Sequence, residues 1–524
     1  MNKIIKTLFV LTVILSSPFA HANAVSIIPQ PAEMEVLDGH FLVPSLLTYR
    51  FTGECSREAS YLREILQKEF NISSQYLAKS KIANVQLVIN PEKESLMGEE
   101  GYWLSVSNTG INITAATSTG IFYGIQSLLQ LIEKQENAYQ IPFVLIKDKP
   151  RFPWRAFLLD EARSFKGTVA VKQLLDEMAA LKMNIFQWHL TDDQGWRLQI
   201  NRYPLLTEVG AAVKDTSLKG TIDHTFYTHE EVTKIVRYAA ERHITIIPEL
   251  EMPGHASAAI ASYPWLGTEK ISIGVPATFG IFDNIYNVAD PAVISFIHHV
   301  LDEVMSLFPS GIIHIGGDEV KYDHWKNNDR IQVFMKKNNL ATPAALQLWF
   351  TNGISQYLHK KGYRMMGWNE IMGGHVNADS NEAGIEQKLS PGTIIHFWLG
   401  NPNLINEAVM KGYDVVNSFH EYTYLDYDYK SISLEKAYSF DPVPASLAPQ
   451  YHNKIIGSGC QMWGERIPTI SRMNLQVFPR LAAYAEVGWT TVANKNFERF
   501  KKSLYPVIRH WEQDGIHIDM STLL

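Results

Sequence analysis

The chain has 524 residues, 46% hydrophobic and 19% charged, a composition that supports more than one packed domain and excludes a disordered or fibrous protein. Its net charge of −7 includes no basic block, so nucleic acid is not an expected partner. The two cysteines, Cys55 and Cys460, form no zinc pattern and are expected to be buried free thiols.

The first residues read as a targeting segment. Lys3 and Lys6 give a positive start, Leu8 to Leu15 is apolar, and Ala20-His21-Ala22 is a small-x-small cleavage site, with Ala22-Asn23-Ala24 as a second candidate. Residues 1–22 are therefore expected to be a signal peptide and the protein to be exported, periplasmic or secreted. The apolar run is too short to span a bilayer, no later segment qualifies, and no cysteine near the cleavage site offers a lipid anchor.

Residues 23–148 read as a small α+β domain without a chemical motif. Ser56 to Phe70 has helical spacing, Val85–Ile89 reads as a strand, and Tyr102–Ser107 and Ile111–Ala116 flank the hairpin signal Asn108-Thr109-Gly110. Ile121 to Ile132 is an amphipathic helix pattern.

After Pro150 the texture changes, and short apolar runs alternate with longer helical patterns. Eight strands are expected, at Ala156–Leu159, Asn184–Leu190, Ile244–Glu249, Gly311–Ile315, Tyr363–Gly367, Thr393–Phe397, Asp414–Asn417 and Ile455–Met462. Thr228 and Glu231 make a capping box, and Asp290-Pro291 opens another helix. Eight βα units over residues 149–524 predict an α/β fold, a (β/α)8 TIM barrel behind a smaller N-terminal α+β domain. A doubly wound open sheet is the alternative, but no Gly-rich phosphate loop supports it.

Catalytic groups of a barrel gather where its strands end. Here the strands end in Asp160-Glu161, His189-Leu190-Thr191-Asp192-Asp193, Glu249-Leu250-Glu251 with His255, Asp318-Glu319, Trp368-Asn369-Glu370, Trp398, Tyr424-Leu425-Asp426 and Trp463-Gly464-Glu465. Taken singly, His189, His314 and each tryptophan read as core. Converging on one rim, flat ring faces and carboxylates suit a sugar, which has apolar C–H faces and a hydroxyl edge. Neither His-x-His after the first strand nor His-Glu-x-x-His occurs, so no metal is expected.

These motifs carry a family resemblance. His314-Ile315-Gly316-Gly317-Asp318-Glu319 resembles the active-site motif of glycoside hydrolase family 20, the β-N-acetylhexosaminidases. Trp154 to Asp160 with Arg163, Trp188 to Arg197, Pro248 to His255 and Trp463-Gly464-Glu465 are similar to its other strand-end motifs, in family order. The small domain, notably Ile121 to Gln126, resembles the family's non-catalytic domain.

The resemblance implies an exo-acting retaining glycosidase in which the 2-acetamido group of a terminal β-linked N-acetylhexosamine is the nucleophile and an oxazolinium ion the intermediate. It implies that Glu319 is the acid and then the base, that Asp318 orients the acetamido N–H, and that Tyr424 binds the acetamido oxygen. Trp368, Trp398 and Trp463 would wall the sugar pocket. Arg155 and Glu465 would hold O3 and O4, Asp426 would reach O4 or O6, and Asp192 and His255 would tune Glu319. No cofactor is implied, and the partner is a glycan. GlcNAc against GalNAc, a lacto-N-biosidase, a 6-sulfo-GlcNAc specialist and a non-catalytic carbohydrate-binding barrel stay open. Asp428 is not separable from Asp426, Trp325 could equally stack on a leaving-group sugar or pack at the surface, and Glu251 stands where many relatives carry Asp.

Overall fold

The computed structural model describes residues 25–78, 82–136, 138–211, 224–373 and 388–523; the signal-peptide segment lies outside them. All eight expected barrel strands are present: Trp154–Asp160, Ile185–His189, Thr245–Glu249, Ile312–His314, Arg364–Trp368, Ile394–Phe397, Asp414–Asn417 and Ile455–Met462. They pair in parallel in chain order, and the eighth closes on the first, with Met462 opposite Leu159. Closure leaves no sheet edge. Alternation along the strands buries Trp154, Ala156, Ile185, Ile247, Met366, Ile394 and Val416 in one apolar cluster, which fills the barrel from below.

The expected helix signals hold. Thr228 and Glu231 form a reciprocal capping box on His229–Ala240, and Asp290 caps Pro291–Leu307 from the residue before its proline. Both cysteines are buried and free. Among the described residues no helix is long and apolar enough to cross a membrane.

The small domain is a mixed eight-stranded sheet carrying the helices Ser56–Phe70 and Ser118–Gln130. The second helix is buried along nearly its whole length, and Gln130 donates to the carbonyl of Ala180 in the barrel domain. At the same seam Lys182 Nζ sits 3.2 Å from Asp148 Oδ2 and donates to Tyr102 Oη at 2.8 Å. The Trp489 indole N–H donates to Asp148 Oδ1 at 3.0 Å. These buried polar contacts tie the sheet to the floor of the barrel.

Candidate active site

The mouth of the barrel is divided by strand. Strands one to four end in charged groups, while the ends of strands five to eight carry rings. Trp368, Trp398, Tyr424 and Trp463 form a closed circuit. Centroids are 6.3 Å apart for Trp368–Trp398, 6.0 Å for the parallel pair Trp398–Tyr424, 5.8 Å for Tyr424–Trp463 and 5.9 Å for Trp463–Trp368. The Trp368 indole N–H donates to Glu249 Oε1 at 3.0 Å, and the Trp398 N–H lies 3.2 and 3.1 Å from the two oxygens of Glu370. The circuit is thus a pinned, flat-walled cage.

The fourth strand delivers the acids through two glycines. Gly316 and Gly317 have φ of 64° and 95°, and a Cβ on Gly316 would lie 1.8 Å from Glu251 Oε2. Only glycine fits there. The turn is braced from outside, where the Gln347 side-chain N–H donates to the Gly317 carbonyl at 2.8 Å and Tyr322 Oη donates to Gln347 Oε1 at 2.6 Å. Glu319 and His255 both adopt left-handed backbone, with φ of 51° and 49°. Such conformations are uncommon for non-glycine residues and cluster at functional sites.

Asp192 is the hub of the charged half. Its carboxylate lies 2.8 Å from Arg163 Nη2, 3.0 Å from His189 Nε2 and 3.2 Å from His255 Nδ1. The other nitrogen of His255, Nε2, lies 3.7 Å from Asp318 Oδ2 and 3.6 Å from Glu319 Oε2. Arg163 also sits 3.2 Å from Asp160 and 3.7 Å from Glu465, with its guanidinium 5.3 Å from the Trp463 ring.

Electrostatics follow from burial and these partners. Burial would raise Asp192, but Arg163 and His255 outweigh it and hold the carboxylate well below its usual range. Burial opposes charge on His255, yet Asp192 and its neighbours keep it protonated far above the ordinary histidine value. Glu319 is pushed up to about 7, first by burial and then by the charge of Asp318. Asp318 is raised as well, chiefly by burial, with His255 working the other way. Asp318 Oδ1 is buried without a hydrogen-bond partner, as is Asp426 Oδ1. Burial, followed by nearby Glu465, pushes Asp426 up to about 7.

The structure therefore brings Asp318, Glu319, Asp192, His255, Trp368, Trp398, Tyr424, Trp463, Asp426 and Glu465 to one mouth. Asp428 is exposed and closes a turn on the Ser431 N–H, which separates it from Asp426.

One expectation is corrected, and one open alternative is decided. Arg155 is not at the mouth: it enters the first strand at the opposite end and points outward, between the inward Trp154 and Ala156. Its guanidinium is spent on Glu100 at 2.8 and 2.9 Å and on the Phe152 carbonyl at 2.7 Å. Arg163, just beyond the strand's C-terminal end and not among the expected site residues, is the arginine of this motif that reaches the mouth. Trp325 is fully buried, with its indole N–H on the Tyr286 carbonyl at 3.0 Å, so it packs the core and presents no platform. Asp160, Glu249 and Glu370 were visible as acids at strand ends, but their partners were not.

Comparison with known proteins agrees with this geometry. Residues 152–492 match the family model for the glycosyl hydrolase family 20 catalytic domain, and residues 24–149 match the model for domain 2 of that family. A β-hexosaminidase of Porphyromonas gingivalis is 34% identical over 515 residues, covering 94% of this chain; the chain spans only 64% of that protein's length. A β-N-acetylhexosaminidase structure from Bacteroides fragilis superposes with a TM-score of 0.81 at 30% identity, covering 94% of this chain and 96% of that one. An exo-β-N-acetylglucosaminidase from Vibrio harveyi, solved with N-acetylglucosamine, gives a TM-score of 0.81 at 31% identity, covering 94% and 78%. With the catalytic model spanning well over half the sequence and the barrel mouth built as described, the chain belongs to glycosyl hydrolase family 20.

Proposed function

We propose that this chain is an exo-acting β-N-acetylhexosaminidase that removes terminal GlcNAc or GalNAc by substrate-assisted catalysis. The observation that carries the reading is the adjacent pair Asp318 and Glu319 on one strand end, facing the aromatic cage. His255 Nε2 lies 3.7 Å from one carboxyl and 3.6 Å from the other, so the two reach a sugar from the same side. They do not flank the glycosidic bond from opposite faces, as an acid and a protein nucleophile must. A nucleophile carried by the substrate resolves the geometry.

In this mechanism the 2-acetamido oxygen attacks C1 while protonated Glu319 gives its proton to the glycosidic oxygen, and the aglycone leaves as an alcohol. Asp318 Oδ1, buried and without a protein partner, accepts the acetamido N–H and balances the positive oxazolinium ring. Tyr424 donates to the acetamido oxygen. The Glu319 carboxylate then removes a proton from water, which opens the ring at C1 with retention. A pKa near 7 places Glu319 where both acid and base forms are accessible. Arg163 and Glu465 take O3 and O4, and Asp426 takes O4 or O6.

The names of the P. gingivalis and V. harveyi relatives support this activity. The charged start, short apolar run and small-residue cleavage site support export to the periplasm or beyond, where glycans such as chitobiose would be met.

Replacement of Glu319 by Gln is expected to lower kcat on an aryl N-acetylglucosaminide by at least a thousandfold with folding intact. A thiazoline analogue of the intermediate is expected to inhibit the wild type strongly. Full activity in the variant, or no inhibition, would overturn the respective step. Insensitivity to EDTA is expected; loss restored by added metal would favour metal-assisted hydrolysis instead.

A further inference from the structure

Behind the Asp192–His255 pair lies a second layer for which the mechanism above has no use. Glu249, at the end of the third strand, is fully buried and gathers groups from three other strands. Its Oε2 accepts the Gln187 side-chain N–H at 2.7 Å and lies 3.3 Å from His189 Nδ1. Its Oε1 accepts the Trp368 N–H at 3.0 Å and lies 3.2 Å from His314 Nδ1. His189, 1% exposed, has Nε2 at 3.0 Å from Asp192 Oδ2, Nδ1 also 3.9 Å from Glu251 Oε1, and the Trp463 ring edge-on at 5.2 Å.

Both ring nitrogens of His189 thus face carboxyl oxygens. An ionised carboxylate only accepts, so each nitrogen is best used as a donor, which makes the ring an imidazolium. Burial opposes that charge, but Glu249 and Asp192 outweigh it and push the group up to about 10. The neighbouring histidines of the mouth differ. His314 is lowered by burial to about 4, and His396, 3.3 Å from it, is held well below the ordinary histidine value by burial and by His314. His189 is therefore the cation held between Glu249 and Asp192 behind the anionic rim, while Arg163 and His255 stand at its front. The acids that act on it are Asp160, Asp192, Glu249 and Glu251.

We propose that His189 is a positioning residue for the acid: a buried cation clamped between Glu249 and Asp192 that balances the rim and keeps Asp192 turned to His255, so that Asp318 can ionise beside Glu319 in the pH range of hydrolysis. Because Glu249 also pins Trp368, the floor of the sugar cage and the charge network of the acid are held by one carboxylate. This rests on the reading of Glu319 as the acid.

The test compares pH profiles of kcat/KM for wild type and His189→Gln on an aryl N-acetylglucosaminide. Removing the cation leaves Glu249 and Asp192 unbalanced, which disfavours ionisation of both Asp318 and Glu319. Both limbs are expected to move up by about half a pH unit or more, with kcat falling more than KM changes. A uniform loss with unmoved limbs would mean a packing role and overturn the proposal. Neutron diffraction of the wild type at pH 7 tests it without a variant: deuterons on both nitrogens of His189 are expected, and a neutral ring would overturn it. Absence of turnover by the wild type would instead sink the reading of Glu319, since the neutron result does not depend on activity.

Discussion

Two adjacent carboxylates in water titrate close to their ordinary values, because solvent screens each from the other. At Asp318 and Glu319 the side chains are only 14% and 27% exposed, so burial and mutual repulsion both act. Raising Glu319 from 4.5 to about 7 means that the folded chain keeps its proton longer than the unfolded chain. Its contribution to stability is full below its ordinary value near 4.5 and is lost as pH rises through about 7. Glu319→Gln should therefore be more stable than wild type at pH 8, by about 1–3 kcal/mol, with the difference closing by pH 4.5. Thermal melts at the two pH values check this; coincident melting at pH 8 would contradict it. Arg163 carries a prediction of its own. Arg163→Ala removes the charge 2.8 Å from Asp192 and 3.7 Å from Glu465, and should raise KM at least tenfold while also lowering kcat. Unchanged steady-state constants would remove Arg163 from the sugar site.

At the scale of the element, the turn after the fourth strand shows how a backbone can decide a site. Gly316 must accept φ of 64° and leave room for the Glu251 carboxyl, which a Cβ would meet at 1.8 Å. Gly316→Ala should cost about 2–4 kcal/mol of stability and displace the acids, lowering kcat at least a hundredfold. Calorimetry with steady-state kinetics checks both, and a variant with wild-type kcat would show that the turn tolerates movement. The strands themselves were legible, because each is a short apolar run closed by polar residues. Their register around the barrel placed four aromatic residues in a single circuit, a closure that no spacing along the chain encodes.

The whole molecule depends on how the small domain meets the barrel floor. Arg155 is completely buried and satisfied by Glu100, whose side chain is 16% exposed and belongs to the other domain. Glu100→Ala would strand that guanidinium, and breaking such a pair costs about 3–5 kcal/mol. The melting temperature should fall by several degrees while KM stays unchanged, since the pair lies at the end of the barrel away from the mouth. A KM shift in this variant would mean that the small domain communicates with the sugar site.

By itself the sequence determined the barrel, the ends of its strands, the acid pair and the caps, because these follow from local alternation, glycine at forced turns and polar residues where apolar runs stop. The tertiary structure alone decided which arginine serves the site. Arg155 and Arg163 lie on one motif, but a strand places them at opposite ends of the barrel, one against Glu100 and one against Asp192. It also decided that Trp325 is core, that Asp426 and not Asp428 faces Glu465, and that His189 stands between two acids. The charge of a buried group depends on neighbours brought together from distant strands, and those neighbours exist only once the barrel has closed.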